Sequence, residues 1–176
     1  TVGRRTGEDQ EFILKLLCRA SVCESVEDGD VYYLYRMPSG GSAMALNLEG
    51  QFDYPRAMRD VLGFAACPDA GMSPDDLEAV GRLLADRFVG ACAYAAETAL
   101  SNGATDADVL SWLADSLEGF DCREALANGC CRGENRRFLR LWLCCSGMIP
   151  SYFRFGLRIR SIGRAVKDRI SRRSSR

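Results

Sequence analysis

One uninterrupted stretch constrains this chain more than any other feature. Ser73 is a capping residue, Pro74 occupies the first helical position, and Asp75 and Asp76 place carboxylates in the first turn. Apolar and small residues then continue to about Leu100, and Asn102-Gly103 supplies a stop. A long apolar helix of this kind has to be covered by others.

The flanking segments offer that cover. Residues 8–26 carry Phe12, Ile13, Leu16, Leu17 and Ala20 at helical spacing. Residues 43–66 are broadly helical, with a break expected at Pro55. Thr105-Asp106-Ala107-Asp108 opens a further helix whose apolar face is Val109, Trp112, Leu113 and Leu117. Gly119, Asn128-Gly129 and Gly133 punctuate the next stretch, and residues 136–145 read as a short apolar and basic helix. Residues 31–35 are the strand candidate, with 43–48 as a pairing option, although 31–37 also suits a short helix. The expectation is an all-α bundle of seven or eight helices around a central apolar helix.

The formal charge of −1 conceals a division. Residues 1–135 carry 11 Lys/Arg against 23 Asp/Glu, whereas residues 136–176 carry 12 against the single Asp168. An acidic body with a basic end is drawn to anionic surfaces through that end. From Tyr152 onward the pattern is periodic: Tyr152, Phe155, Ile159, Ile162, Val166 and Ile170 step by three or four. Arg154, Arg158, Arg160, Arg164, Lys167 and Arg169 fill the remaining faces. Three uses are open for this amphipathic helix. It packs its stripe on the body, it attaches to a membrane surface, or it serves nuclear import or nucleic acid, the last ranking lowest. The expected organisation is a bundle over 1–150 and a basic tail over 151–176. No run of 18 apolar residues exists, so no segment reads as a membrane span; residues 138–149 come nearest, and they are short and contain Arg140.

Histidine is absent, which removes the commonest general base and zinc ligand and every Ser–His or Cys–His nucleophile pair within the chain. No Gly-rich phosphate loop or nucleophile elbow assembles either. The expectation is a non-enzyme without cofactor or metal. Nine cysteines, at 18, 23, 67, 92, 122, 130, 131, 144 and 145, form an odd set with two adjacent pairs, which speaks for free thiols in a reducing cytosolic or nuclear compartment. A zinc site from Cys122, Cys130, Cys131, Cys144 and Cys145 is the competing reading, and the adjacent pairs fit zinc spacing poorly.

One constellation stands above this background. Val80-Gly81-Arg82-Leu83-Leu84-Ala85, then Val89-Gly90-Ala91, is followed by a helix carrying Trp112 and by Asn128-Gly129. Upstream lie Asp9-Gln10-Glu11-Phe12-Ile13-Leu14-Lys15 and Leu46-x-x-x-Gly50-Gln51, with Asp60 beyond. In order and spacing, over about 120 residues, this resembles the Bcl-2 family of apoptosis regulators. Gly81-Arg82 stands for that family's N-W-G-R, Trp112 and Asn128-Gly129 for its second homology region, Glu11 for its amino-terminal helix, and Leu46 to Gln51 for L-x-x-x-G-D. The chain departs from the pattern at Ala79-Val80, Gln51 and Cys130-Cys131, and the Leu46–Gly81 stretch is short. A second register starts the apolar helix at Arg87-Phe88-Val89-Gly90-Ala91, with Tyr94-Ala95-Ala96 following.

The resemblance implies a Bcl-2-like bundle that sequesters BH3-type helices of pro-apoptotic partners in a hydrophobic groove and opposes mitochondrial permeabilisation. It assigns Val80, Gly81, Arg82, Leu83, Leu84, Arg87 and Val89 to one groove wall and Leu46, Leu48 and Phe52 to the other, with Arg82 meeting the partner's aspartate. Arg82 also stands four residues after Glu78, the spacing of an ordinary surface pair. The resemblance further suggests a cytoplasmic location, at the mitochondrial or another intracellular membrane, a virus-encoded homologue in a host cell, and a homodimer as one state of the groove. The competing class is a helical regulatory module whose basic tail binds membrane or nucleic acid.

Overall fold

A computed structural model describes residues 8–20, 48–67 and 71–159. All regular structure among them is helical. Helix α1 is Glu8–Arg19; a 3-10 turn, Glu49–Phe52, leads into α2, Asp53–Ala65; α3 is Pro74–Ser101, α4 Asp106–Leu117, α5 Cys122–Ala127 and α6 Gly133–Cys145. A second 3-10 turn, Ser146–Met148, runs into α7, residues 149–159, which continues to the last described residue. The strand candidate at 31–35 and all but Leu48 of its pairing option at 43–48 lie outside the described residues, and Leu48 is in a turn.

The starts follow the local chemistry. Ser73 Oγ accepts the Asp76 amide at 3.2 Å, and Thr105 Oγ1 accepts the Asp108 amide at 3.2 Å. Asp121 Oδ1 accepts the amides of Arg123 and Glu124 at 3.0 and 2.9 Å, a cap that the sequence pattern did not suggest. The expected break at Pro55 is corrected: α2 begins at Asp53, so Pro55 falls in the first turn, where its missing N–H has no intrahelical partner to lose.

Helix α3 is the axis. It packs against α2, α4, α6 and the first 3-10 turn. Its buried residues are Leu84, Ala85, Phe88, Val89, Ala91, Cys92, Ala95, Ala96, Ala99 and Leu100. The small side chains let neighbours approach on more than one side, while Phe88 fills the centre and meets the Phe120 ring edge-on at 4.8 Å. Phe52, Met58 and Val61 close the core from α2 and its turn, Val109 and Leu113 from α4, and Phe138 and Leu139 from α6.

Two arginines fasten α2 to the end of α4. Arg56 Nε donates to Asp115 Oδ2 at 2.9 Å, and Arg59 Nη1 donates to the Asp115 carbonyl at 2.7 Å and to those of Ser116 and Glu118 at 3.4 Å. Arg59 thus supplies from another helix what the α4 terminus lacks. Arg59→Ala is expected to lower folding stability by about 1–2 kcal/mol, read as a shifted urea midpoint at unchanged slope. An unshifted midpoint would show that water replaces the guanidinium.

Both amphipathic ends turn differently from the sequence expectation. In α1 the inward residues are Glu11, Leu14, Lys15 and Cys18, whereas Phe12 and Leu16 are 69% and 57% exposed. On this inner side Leu14 and Cys18 pack against the core, and Lys15 pairs with Glu11 at 2.6 Å and lies 5.8 Å from the Phe64 ring of α2. In α7 the residues that pack are Ile149, Pro150 and Phe153, leaving Phe155 and Ile159 outside. The expected 150/151 division therefore falls inside a helix whose first turn is buried. Trp112, expected in the core, is half-buried and lies 5.5 Å from the Phe52 ring.

Candidate helix-binding surface

Along one side of α3, positions 76, 80, 83 and 87 recur at helical spacing and so share a face. Opposite the first three lies α1. Between them opens a cleft of about 590 Å³, lined by Leu14, Leu17 and Cys18 of α1, by Met72, and by Asp76, Val80, Leu83 and Leu84 of α3. Leu83 stands 57% exposed at its mouth, and the outward residues Ile13, Leu16 and Leu17 extend the apolar surface along α1. Of the groove residues expected from sequence, Val80, Leu83 and Leu84 meet here.

The others do not. Phe52 and Val89 are fully buried, and Leu84 is at the cleft floor with 3% exposure, so in this conformation Phe52 and Val89 hold the core rather than face a partner. Leu48 is half-buried beside the same core, and Leu46 lies outside the described residues. Gly81 and Arg82 point away from the cleft. With Leu77 and Glu78 they line a separate hollow of about 390 Å³ closed by Asn128 and Cys130. Two motif segments far apart in sequence, Gly81-Arg82 and Asn128-Gly129, are neighbours there. A Cβ at Gly81 would meet nothing within 4 Å, so close packing does not explain that glycine. At Gly90 it would come within 3.2 Å of the Asn135 side chain, so that glycine does let α6 approach.

The two candidate arginines differ in what they touch. Arg82 Nη2 is held by Glu78 Oε1, one turn earlier, the ordinary surface pair. Arg87 is exposed, sits one turn beyond Leu83, and has no ion pair among the described residues. The adjacent Asp86 is occupied: its Oδ1 accepts the Arg132 amide at 3.1 Å and Asn135 Nδ2 at 3.0 Å, and its carbonyl accepts Asn135 Nδ2 at 3.0 Å. Asp86 is thereby spent on docking α6; Arg87 is a second charge one turn beyond Leu83, while Arg19 of α1 lines the cleft itself. Asn135 and the α1 lining residues Leu14 and Leu17 were not expected from sequence to serve a site. The excess of apolar residues on α1, more than one face can bury, was the signal available.

Of the tail cations, Arg154 and Arg158 are exposed; Arg154 Nη2 pairs with Asp106 Oδ1 at 2.5 Å, which ties α7 to the start of α4. Arg160, Arg164, Lys167 and Arg169 lie outside the described residues. Among the described residues no group of three or more His, Cys, Asp or Glu side chains could hold a metal ion, and no helix is long and apolar enough to cross a membrane.

The thiols separate into two kinds. Burial pushes Cys92 well above the ordinary thiol range, and burial followed by the Asp86 carboxylate pushes Cys131 up to about 12. Cys144 and Cys145 are exposed. In native protein at about pH 8, alkylation is expected to mark Cys144 and Cys145 within minutes and to spare Cys92 and Cys131 until denaturant is added, as mass spectrometry would show. Equal labelling of all four would contradict the packing. The raised pKa values also set a stability window. An unfolded thiol ionises near 9.0 while the buried ones stay protonated, so their contribution is full below that pH and is lost as pH climbs from there toward 12.

No family model, curated protein or solved structure matches the chain. Its function has to be argued from the residues themselves.

Proposed function

We propose that this chain is a non-enzymatic, Bcl-2-type regulator that takes up BH3-type helices of pro-apoptotic proteins and thereby opposes cell death. The observation that carries the reading is the exposed apolar cleft between α1 and α3, with Leu83 at its mouth and Arg87, unpaired among the described residues, one turn further on. An amphipathic partner helix lays apolar anchors into such a trench, and a fixed charge at its edge sets register against a partner carboxylate. The order of motif segments supports the same reading, and Arg87-Phe88-Val89-Gly90-Ala91 fits the family pattern of an arginine opening an apolar helix. The bundle arrangement in this reading is Bcl-2-like, with α3 as the central helix. The working location is the cytoplasm at the mitochondrial surface.

The test is a titration of fluorescent BH3-type peptides into the full chain at about 150 mM salt. Binding of some peptides at about 1 μM or tighter, with others of the panel silent, is the expected result. Silence across the panel from a protein with a helical spectrum and monomeric sedimentation would overturn the proposal. Affinity that fell steeply between about 50 and 200 mM salt would instead favour an electrostatic module acting through the basic end.

A further inference from the structure

Helix α3 is the axis of the bundle, yet one row of its residues stays uncovered. Val80, Leu83, Arg87, Gly90, Tyr94 and Glu97 follow one another by three and four residues, the spacing that keeps positions on one side of a helix. None of them is buried: Leu83, Arg87 and Tyr94 are exposed, and the others are half-buried. Val80 and Leu83 line the α1–α3 cleft. Gly90, Tyr94 and Glu97 line a second cleft of about 530 Å³, whose other walls include Tyr152, Phe155 and Ile159 of α7 and Glu134 of α6. Tyr94 and Phe155 each stand 65% exposed there, so this cleft holds apolar surface that the fold does not cover. From Val80 to Glu97 the row rises roughly 26 Å along the helix axis.

We propose that a single partner helix lies along this row and fills both clefts, so that the partner is an amphipathic helix of about 17 residues or more. This binding mode rests on the helix-capture function proposed for the chain and extends it to α7. Steps of three and four residues suit one helix packed beside another at a crossing angle of about 20°. They also state what the partner carries: a seam of apolar anchors with the same spacing. One end of that seam meets Leu83 and α1, and the other meets Tyr94 and Phe155. Charge sets which end is which. Arg87 is the cation in the row, whereas Glu97 and Glu134 line the second cleft and no Lys or Arg does. Glu134 takes the Tyr152 hydroxyl at 2.7 Å and Arg137 at 3.0 Å, and the Arg137 pair lies on the surface, where such pairs exchange at little cost. Arg87 and Glu97 stand roughly 15 Å apart along the axis, so the partner places a carboxylate beside Arg87 and a basic side chain about ten residues away, in the second cleft.

The probe is a fluorescent BH3-type peptide of about 26 residues, with a lysine about ten residues from its aspartate, titrated into the full chain at about 150 mM salt. Tyr94→Ala combined with Phe155→Ala is expected to weaken its binding at least about tenfold with the helical spectrum intact, because both side chains are exposed. Leu83→Ala is expected to weaken it as well, from the other end of the row. Weakening by Leu83→Ala alone would confine the partner to the α1–α3 cleft; that overturns the spanning mode and leaves the helix-capture function standing. Wild type that binds no peptide of the panel overturns both. A wild-type dimer that the double variant converts to monomer, at unchanged peptide affinity, would assign the second cleft to a contact between copies and overturn the spanning mode too. Should the double variant lose helix, Phe155→Trp gives the answer: a blue shift of its added emission on saturation with the peptide supports the proposal, and unchanged emission overturns it.

Discussion

Phe88→Ala is expected to lower folding stability by about 3–5 kcal/mol, among the largest effects expected of a single truncation in this chain. Phe88 is fully buried in the middle of α3 and meets Phe120 edge-on at 4.8 Å. On its own helix the buried residues that follow at helical spacing, Ala91, Cys92 and Ala95, are small. Small, backbone-bound neighbours cannot reach into the space left behind, so the cavity term adds to the lost transfer free energy. Urea unfolding followed by circular dichroism reads the change directly. Given total stabilities of about 5–15 kcal/mol for a domain, such a loss would leave a marginal protein. A change below about 1 kcal/mol would mean that α3 does not occupy the centre of the bundle.

Arg87→Ala is expected to weaken BH3-type peptide binding by about 1.5–3 kcal/mol, roughly 10- to 150-fold, while Arg82→Ala leaves it close to wild type. The contrast stems from their partners. Arg82 is already engaged with Glu78 and faces the Asn128–Cys130 side, so a ligand would have to compete for it. Arg87 is exposed one turn beyond Leu83, which lines the cleft. The decisive measurement is a double-mutant cycle with a peptide whose aspartate is changed to asparagine: the peptide change should cost affinity in wild type and little in Arg87→Ala. If Arg82→Ala carries the loss instead, the partner helix lies over the Gly81–Asn128 hollow. If neither matters, neither of these arginines is the anchor, and Arg19, which lines the cleft, is the next to change.

The folding stability of both arginine variants should stay within about 0.5 kcal/mol of wild type, since both side chains are exposed, and this separates the binding effect from unfolding. Arg82→Ala loses an exposed (i, i+4) pair, which is worth little in water.

Much of the fold was legible because helix ends are encoded locally. Ser73-Pro74-Asp75-Asp76 and Thr105 with Asp108 fixed the starts of α3 and α4, and the observed caps are those side chains. Gly119, Gly129 and Gly133 were legible as punctuation and adopt positive φ, which a side chain would resist. The cleft was only partly legible. Val80, Leu83 and Leu84 were named, but Phe52 and Val89 were assigned to the same surface although they are core. Hydrophobicity alone does not distinguish a residue that lines a groove from one that fills the centre, because both are apolar and both keep the helical period.

What the sequence determined by itself is the helical class, the main helix boundaries, the absence of histidine chemistry and the basic end. Each is a local or compositional property. Which face of α1 and α7 turns inward was decided only by the tertiary structure. Both helices carry apolar residues on more than one side, so periodicity leaves two orientations open. Contacts with distant segments accompany one of them: Leu14 and Cys18 of α1 and Ile149 and Phe153 of α7 pack on the core, with Lys15 near Phe64 and Phe153 near Phe138. The remaining apolar faces are thereby left outside, where partners of another kind can reach them.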